Sequence, residues 1–261
     1  MSLKPKKSLG QNFLLDKNII NKIIKAARIS SDDVVLEIGP GTGNLTKFII
    51  SNKPKKIYVI EKDEKLASEL EKRYLDKINI IKNDILKISY EFYSGKKFLI
   101  LGNLPYNIST KILSDWCLNK NLNVSKMILM FQKEVAERIL ANANTKEYSR
   151  ISILSKWKFD IKKIVDVKPN SFFPKPKVHS TVLEFLPKKK FYKIKNPRNL
   201  EKVTKIFFTQ RRKMIKKAIN TLFKNFEFDY KKFNIKPSDR AQNIDIDIYL
   251  KIVNEYESLG N

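Results

Sequence analysis

An α/β fold, with a largely parallel sheet followed by a small helical domain, is what this 261-residue sequence predicts. Two observations carry the prediction. Short apolar runs at 34–38, 57–60, 78–81 and 98–101 alternate with segments of helical spacing near 44–51 and 63–73, the pattern of a βαβ series. At Leu186-Pro187-Lys188-Lys189-Lys190 the composition shifts, Asn196-Pro197 makes a second break, and the chain beyond turns helical. The boundary is therefore placed near residue 188, giving domains 1–188 and 189–261. With 42% hydrophobic residues, the chain can bury one sizeable core and a smaller second one.

Taken in order, Asp16 suits the N-cap of a helix whose apolar positions Ile19, Ile20, Ile23, Ile24 and Ala27 recur at helical spacing. That helix is read as packing, not chemistry. Val34-Val35-Leu36-Glu37-Ile38 then runs as a buried strand into Gly39-Pro40-Gly41-Thr42-Gly43, with a helix beginning near Asn44. Glycines let a ligand approach the backbone closely. The spacing is G-x-G-x-G, and Asn44 stands where a dinucleotide fingerprint wants its last glycine, which weakens an NAD reading. Ile57-Tyr58-Val59-Ile60 ends in Glu61, roughly 20 residues after the loop, where an acid can bind both hydroxyls of a ribose. Asp84 follows Ile78-Asn79-Ile80-Ile81 and is placed to read an adenine edge. Each acid by itself also reads as a solvated loop carboxylate. Together they mark successive strand ends, where ligands of open α/β sheets sit.

The fourth strand end carries the sharpest signal. Phe98-Leu99-Ile100-Leu101-Gly102 leads directly into Asn103-Leu104-Pro105-Tyr106. The exocyclic amine of a base is a poor nucleophile, because its lone pair is delocalised into the ring. An Asn side-chain oxygen and a neighbouring backbone carbonyl, here Asn103 and Leu104, can accept its two N–H bonds and favour a pyramidal nitrogen. Pro105 restricts the backbone and removes a competing donor, and Tyr106 offers a ring for an extruded base. The alternative is an ordinary Asn-Pro turn. Downstream, 110–118 reads as a helix, 127–131 as a strand, 133–141 as a helix, 151–157 and 161–167 as further core segments, and 181–186 as a last strand.

Phe172-Phe173-Pro174-Lys175-Pro176-Lys177 is a rigid, aromatic and basic loop just before that strand. Adjacent side chains of extended chain point to opposite sides, so one of the two rings is available to a ligand. A core role for Phe172 stays open. In the second domain, Leu200, Val203, Ile206, Phe207, Met214, Ile215, Ala218, Ile219, Leu222 and Phe223 keep helical spacing, and Arg211, Arg212, Lys213, Lys216 and Lys217 crowd between them. These charges read either as a solvated helix face or as an RNA contact. A final helix is expected over 250–256.

The formal charge of +26, from 53 Lys+Arg against 27 Asp+Glu, implies a polyanionic partner, and RNA fits better than a membrane. The sign is more informative than the magnitude, since abundant Lys, Asn and Ile also suit a genome-wide bias. A lone Cys117 and a lone His179 leave no intramolecular disulfide, no Cys/His zinc cluster and no Ser/His/Asp triad. No stretch approaches the roughly 20 apolar residues of a membrane-spanning helix. The first ten residues are too polar for a signal peptide, so a cytoplasmic location is expected, and the lack of a transit peptide favours a bacterial source. Lys4, Lys6 and Lys7 around Pro5 read as a basic arm, either a phosphate contact or a solvated terminus.

Five segments together resemble one family: Gln11-Asn12-Phe13-Leu14, Glu37-Ile38-Gly39-Pro40-Gly41-Thr42-Gly43, Gly102-Asn103-Leu104-Pro105-Tyr106-Asn107-Ile108-Ser109, Gln132-Lys133-Glu134-Val135 and Phe172-Phe173-Pro174-Lys175-Pro176-Lys177-Val178. They are similar to the small-subunit ribosomal RNA adenine dimethyltransferases, the KsgA family, over almost the whole chain. The resemblance implies a Rossmann-like class I methyltransferase sheet of seven strands, mostly parallel, with its last strand antiparallel. It implies S-adenosylmethionine as donor and dimethylation at N6 of two adjacent adenines, in the hairpin loop near the 3′ end of small-subunit rRNA, late in subunit biogenesis. The implied substrate is an immature small ribosomal subunit, met by a monomer. Cofactor positions carry over to Asn12, Leu14, Gly39, Glu61, Asp84 and Asn103, with Gly41 and Gly43 in the same loop. Target-base positions carry over to Asn103, Leu104, Tyr106 and Phe172, the last as the ring opposite Tyr106; Phe173 departs from the smaller residue common there. RNA contacts are expected from Lys4, Lys6, Lys7, Lys175, Lys177, Arg211, Arg212 and Lys213, the last three within a Gln210-Arg211-Arg212-Lys213 segment similar to the family's. No metal is implied. The alternatives are a large-subunit rRNA methyltransferase of the macrolide-resistance type, a DNA N6-adenine methyltransferase, and a non-catalytic assembly factor on the same fold.

Overall fold

The computed structural model describes residues 5–6, 9–224 and 226–259. In chain order the elements are β1 (Phe13–Leu14), α1 (Lys17–Ala27), β2 (Val34–Ile38), α2 (Asn44–Ser51), β3 (Lys56–Glu61), α3 (Glu64–Tyr74), β4 (Asn79–Lys82) and β5 (Phe98–Asn103). They continue with α4 (Ser109–Leu118), β6 (Val124–Gln132), α5 (Lys133–Leu140), α6 (Arg150–Lys158), β7 (Phe159–Val167), β8 (Phe172–Phe173), β9 (Ser180–Pro187), α7 (Pro197–Thr209), α8 (Lys216–Leu222) and α9 (Ile246–Ser258).

Among the described residues, seven strands form one sheet in the order β4-β3-β2-β5-β6-β9-β7. β4, β3, β2, β5 and β6 run parallel, and β9 pairs antiparallel with β6, as the family resemblance implies. The parallel strands read as apolar runs because they are covered on both faces: every residue from Val35 to Ile38 in β2 and from Phe98 to Gly102 in β5 is buried. The chain lays β2, β3 and β4 outward in one direction, then returns to place β5 on the other side of β2. That reversal between β2 and β5 is the switch point at which open α/β sheets leave a crevice. Asp16 caps α1 as expected, its carboxylate accepting from the N–H groups of Asn18 and Ile19, and the buried Ile20, Ile23 and Ala27 join a core with Val35, Leu99, Ile128 and Val182.

A second, two-stranded pairing was not legible in the sequence. β1 and β8 pair antiparallel, with Phe13 opposite Phe173 and Leu14 opposite Phe172. Side-chain and backbone bonds extend this seam, since the Ser171 hydroxyl donates to Asp16 at 2.9 Å and the Leu15 N–H donates to the Ser171 carbonyl at 2.8 Å.

The chain divides into two compact units. The first comprises Met1–Leu113, Asn121–Ala136 and Asp160–Pro187; the second comprises Ser114–Lys120, Glu137–Phe159 and Lys188–Asn261. In the second unit α7 packs on α9 and α6 through Leu200, Val203 and Phe207, whose spacing puts them on one helix face. Phe207 meets the buried Tyr249 edge-on at 5.2 Å between ring centres. The helical spacing that runs from Leu200 to Phe223 is interrupted at 210–215. There the Ile215 N–H donates to the Asp239 carbonyl and Met214 bridges to Arg240, so tertiary hydrogen bonds replace helical ones.

Candidate functional site

The carboxyl ends of β2, β3, β4 and β5 open on one cavity in the first unit. Its wall includes Asn12, Leu14, Gly39, Gly41, Glu61, Asp84, Asn103, Leu104 and Tyr106, so nine of the residues singled out in the sequence are gathered here. Gly43 is not among them. Its φ of +82° suits glycine, and a Cβ there would lie 2.6 Å from Leu70 of α3, so its smallness serves helix packing. Gly41 does serve the cavity: a Cβ would meet the Phe13 ring at 2.6 Å, and its N–H donates to the Glu61 carboxylate at 3.2 Å.

Glu61, at the end of β3, is buried, and its other oxygen accepts from the Asp63 N–H at 2.8 Å. Burial pushes its carboxyl pKa up, while those two N–H groups act in the opposite direction. Each oxygen accepts one bond from the backbone and keeps acceptor capacity for a ligand hydroxyl. Asp84 follows β4, caps the short turn after it through the Leu86 N–H, and pairs with Lys62 at 2.9 Å.

Asn103 terminates β5. Its Nδ2 donates to the Asn12 carbonyl at 2.7 Å, which turns Oδ1 the other way. That oxygen is buried and has no hydrogen-bond partner. An unpaired buried acceptor costs about 1–3 kcal/mol, a cost recovered when an N–H is presented to it. Tyr106, half-buried, shares a 2.6 Å hydrogen bond with Ser180 of β9, which anchors the ring's outer end. Burial pushes its phenol pKa up, so the hydroxyl stays protonated.

Sequence reasoning missed Glu37. Its side chain is 1% exposed on β2, lines the same cavity, and has Oε2 without a partner. Burial pushes its pKa up to about 8, and the nearby Glu61 carboxylate adds to the rise. The available signal was an acid inside an otherwise apolar run, immediately before the glycine loop. Asp63 was also missed. It caps α3 and accepts from Gln11 at 3.2 Å and Lys6 at 2.9 Å.

Other predicted residues lie elsewhere. Phe172 is not among the residues that line the cavity: it is 4% exposed and belongs to the core cluster with Val167 and with Leu14, its partner in the β1–β8 register, which does line it. Lys6 is bound to Asp63, whereas Lys4 and Lys7 fall outside the described residues. Lys175 and Lys177 are exposed beside Pro174 and Pro176. Arg212 and Lys213 are exposed in the turn between α7 and α8, and Arg211 donates there to the Lys146 carbonyl.

The lining tests what ligand fits. In a strongly basic chain the charged groups of this lining are the acids Glu61 and Asp84 and one lysine, Lys62, which is paired with Asp84, while Glu37 keeps its proton near neutral pH, so the unpaired charge left is that of Glu61. Such a wall disfavours a pyrophosphate and suits a nucleoside that bears positive charge. Among the described residues no group of three or more metal-ligating side chains is present.

A seven-stranded sheet with this strand order and a nucleoside-sized cavity at its switch point is the architecture of a class I methyltransferase. Comparison with known proteins then narrows the class. Residues 2–258 match the family model described as ribosomal RNA adenine dimethylase, and the chain belongs to that family. It is 52% identical to ribosomal RNA small subunit methyltransferase A of Pelagibacter ubique (strain HTCC1062), over 99% of each chain. The protein of the same name from Malacoplasma penetrans (strain HF-2) is 40% identical, over 97% of this chain and 92% of the other. Among solved structures, a dimethyladenosine transferase from Plasmodium falciparum superposes with a TM-score of 0.80 at 30% identity, covering 95% of this chain and 98% of the other. The 23S rRNA methyltransferase ErmE, at 22% identity and a TM-score of 0.68 over 94% of this chain and 100% of its own, shares the fold.

Proposed function

We propose that this protein uses S-adenosylmethionine to dimethylate N6 of two adjacent adenines in the hairpin loop near the 3′ end of small-subunit rRNA. The observation that carries the reading is the buried, unpartnered Oδ1 of Asn103 at the end of β5, in a cavity walled by acids. Family membership and the full-length relatives named as small-subunit rRNA methyltransferases support the substrate.

Glu61 holds the donor's ribose hydroxyls, Asp84 lies at the adenine edge, and Asn12, Leu14, Gly39 and Gly41 form the surrounding backbone wall. S-adenosylmethionine supplies an electrophilic methyl on a sulfonium. Asn103 Oδ1 and the Leu104 carbonyl accept the two N–H bonds of the target amine, which frees its lone pair from the ring. Tyr106 gives the base a face to stack on. No strong general base is required: the methylated amine is acidic and releases its proton to water. Positioning therefore supplies most of the rate. The second transfer needs the mono-methylated amine to be held with one N–H bond surrendered.

The substrate particle is an immature small subunit, and the enzyme acts as a monomer in the cytoplasm; no helix among the described residues is long and apolar enough to cross a membrane. The donor-binding residues all fall in the first unit, inside 1–188, and 189–261, in the second unit together with 114–120 and 137–159, serves RNA binding. Lys175, Lys177, Arg211, Arg212 and Lys213 contact phosphates, with Lys4, Lys6 and Lys7 as a basic arm, Lys6 leaving Asp63 to do so. The test is transfer of labelled methyl from S-adenosylmethionine to immature small subunits, with large subunits and DNA as controls, followed by nucleoside analysis. Dimethyladenosine from small subunits alone is the expected result; label in large subunits instead, or none anywhere, overturns the reading.

A further inference from the structure

We propose that Asp63 is a positioning residue for the donor: its carboxylate latches the segment that runs through Gln11 and Asn12 against the strand ends, and so fixes one wall of the cavity. The inference rests on the proposed donor site and adds to it a residue that does not itself line the cavity. Asp63 is 4% exposed and divides its two oxygens between two tasks. Oδ1 caps α3, accepting from the N–H groups of both Lys65 and Leu66. Oδ2 accepts from Gln11 Nε2 at 3.2 Å and pairs with Lys6 Nζ at 2.9 Å. An N-cap needs a single acceptor oxygen, so the second one is spent on a distant part of the chain. Burial works to raise the carboxyl pKa, but the bonds from Lys6 and Gln11, with that from the Leu66 N–H, hold it below its ordinary value, and the latch is charged at neutral pH.

The latched segment is the wall on which the site depends, since residues 9–14 all line the cavity. The Asn12 carbonyl accepts from Asn103 Nδ2 at 2.7 Å, the bond that sets which way that amide faces, and the Leu14 carbonyl accepts from Asn44 Nδ2 at 2.8 Å. Pairing of β1 with β8 holds the segment further at Phe13 and Leu14. Toward the N-terminus, Gln11 and Lys6 carry it. Gln11 Oε1 accepts the Lys6 N–H at 2.7 Å while its Nε2 reaches Asp63, so the two anchors support each other. Asp63 acts on the acid of β3 as well, because its own N–H donates to Glu61 Oε1 at 2.8 Å. One residue outside the cavity thus joins the carboxylate proposed for the ribose to the segment whose carbonyl orients Asn103. When an RNA phosphate draws Lys6 away, the Gln11 bond remains to hold the wall.

The experiment compares wild type, Asp63→Ser, Lys6→Met and the double variant, all without RNA, by calorimetry of S-adenosylhomocysteine and by amide hydrogen exchange without ligand. Serine keeps an N-cap oxygen and removes the latch. Asp63→Ser is expected to weaken S-adenosylhomocysteine about tenfold, the usual worth of a hydrogen bond to a charged group, and to speed exchange at 9–14 while α3 stays protected. Lys6→Met removes a pair whose lysine is exposed, so about a two- to threefold loss is expected, again with faster exchange at 9–14. The double variant should match Asp63→Ser alone, because Lys6 then has no latch oxygen to meet. Lys6→Met leaves the cap of α3 intact and decides the matter by itself where Asp63→Ser does not fold. Unchanged exchange at 9–14 in Lys6→Met and in any folded Asp63→Ser, faster exchange in α3 alone, or additive losses in the double variant overturn the latch while leaving the donor site intact. A wild type that binds no S-adenosylhomocysteine overturns that parent reading, and this one with it.

Discussion

The strand-end cavity of the first unit and the basic turn of the second, at 210–217, differ in kind, and the proposed function gives them different roles toward a nucleic acid. The cavity is acidic, enclosed and made of single atoms with single tasks: one Asn103 oxygen, two Glu61 oxygens, one Gly41 N–H. The turn is exposed and redundant, with Arg212, Lys213, Lys216 and Lys217 all facing solvent. Charge that is exposed and repeated gives affinity without selecting a base, whereas a buried acceptor with fixed direction selects the amine it will hold. Substitutions in the two regions should therefore differ in kind as well as size.

The largest effect is expected at Asn103. Asn103→Ala should lower kcat for methyl transfer by about a hundredfold or more, since it removes the acceptor proposed for the reacting amine, while donor binding is partly retained. Single-turnover transfer beside calorimetry of S-adenosylhomocysteine checks this, and near-normal turnover would break the contrast. Glu61→Ala comes next, with donor affinity weakened roughly ten- to a hundredfold by the loss of bonds to a charged acceptor. Equal donor affinity in wild type and Glu61→Ala would remove the ribose assignment.

Glu37 sharpens the comparison through pH. Its folded-state pKa is raised from 4.5 to about 8, so between those values the folded protein keeps a proton that the unfolded chain has lost. Stability then falls as pH rises across that window and levels off above it. Glu37→Gln should flatten that part of the curve, measured by urea unfolding without donor. The smallest effects belong to the basic turn. Arg212→Ala or Lys213→Ala should weaken RNA binding only a few-fold for any sequence and reduce the salt slope by about one, with donor affinity untouched. A change in base preference from either would blur the distinction between the regions.

The βαβ order, and with it the succession Gly39, Glu61, Asp84 and Asn103, was legible because each strand's apolar run and the polar residue that ends it are neighbours in the chain. A parallel sheet then carries those ends to one edge. The type of α6 and β7 was not legible: 150–167 is apolar and basic without a clean period, and the chain passes from helix to strand at Phe159 with no Gly or Pro to mark it. The break at 210–215 was hidden as well, since helical spacing continues across it and only hydrogen bonds to 239–240 interrupt the helix.

From the sequence alone came the fold class, the family and the chemical types at the strand ends, since all of these reside in local pattern and local spacing. Three matters were decided only by tertiary structure. The bond from Asn103 to Asn12 sets which way the amide faces. Enclosure on β2 turns Glu37 from one acid among many into a carboxyl that holds its proton near neutral pH. The pairing of 13–14 with 172–173 sends Phe172 into the core and leaves Phe173 outside. Each depends on groups brought together from distant parts of the chain, where a rotation of one side chain or a shift of one residue in register exchanges the inside for the outside.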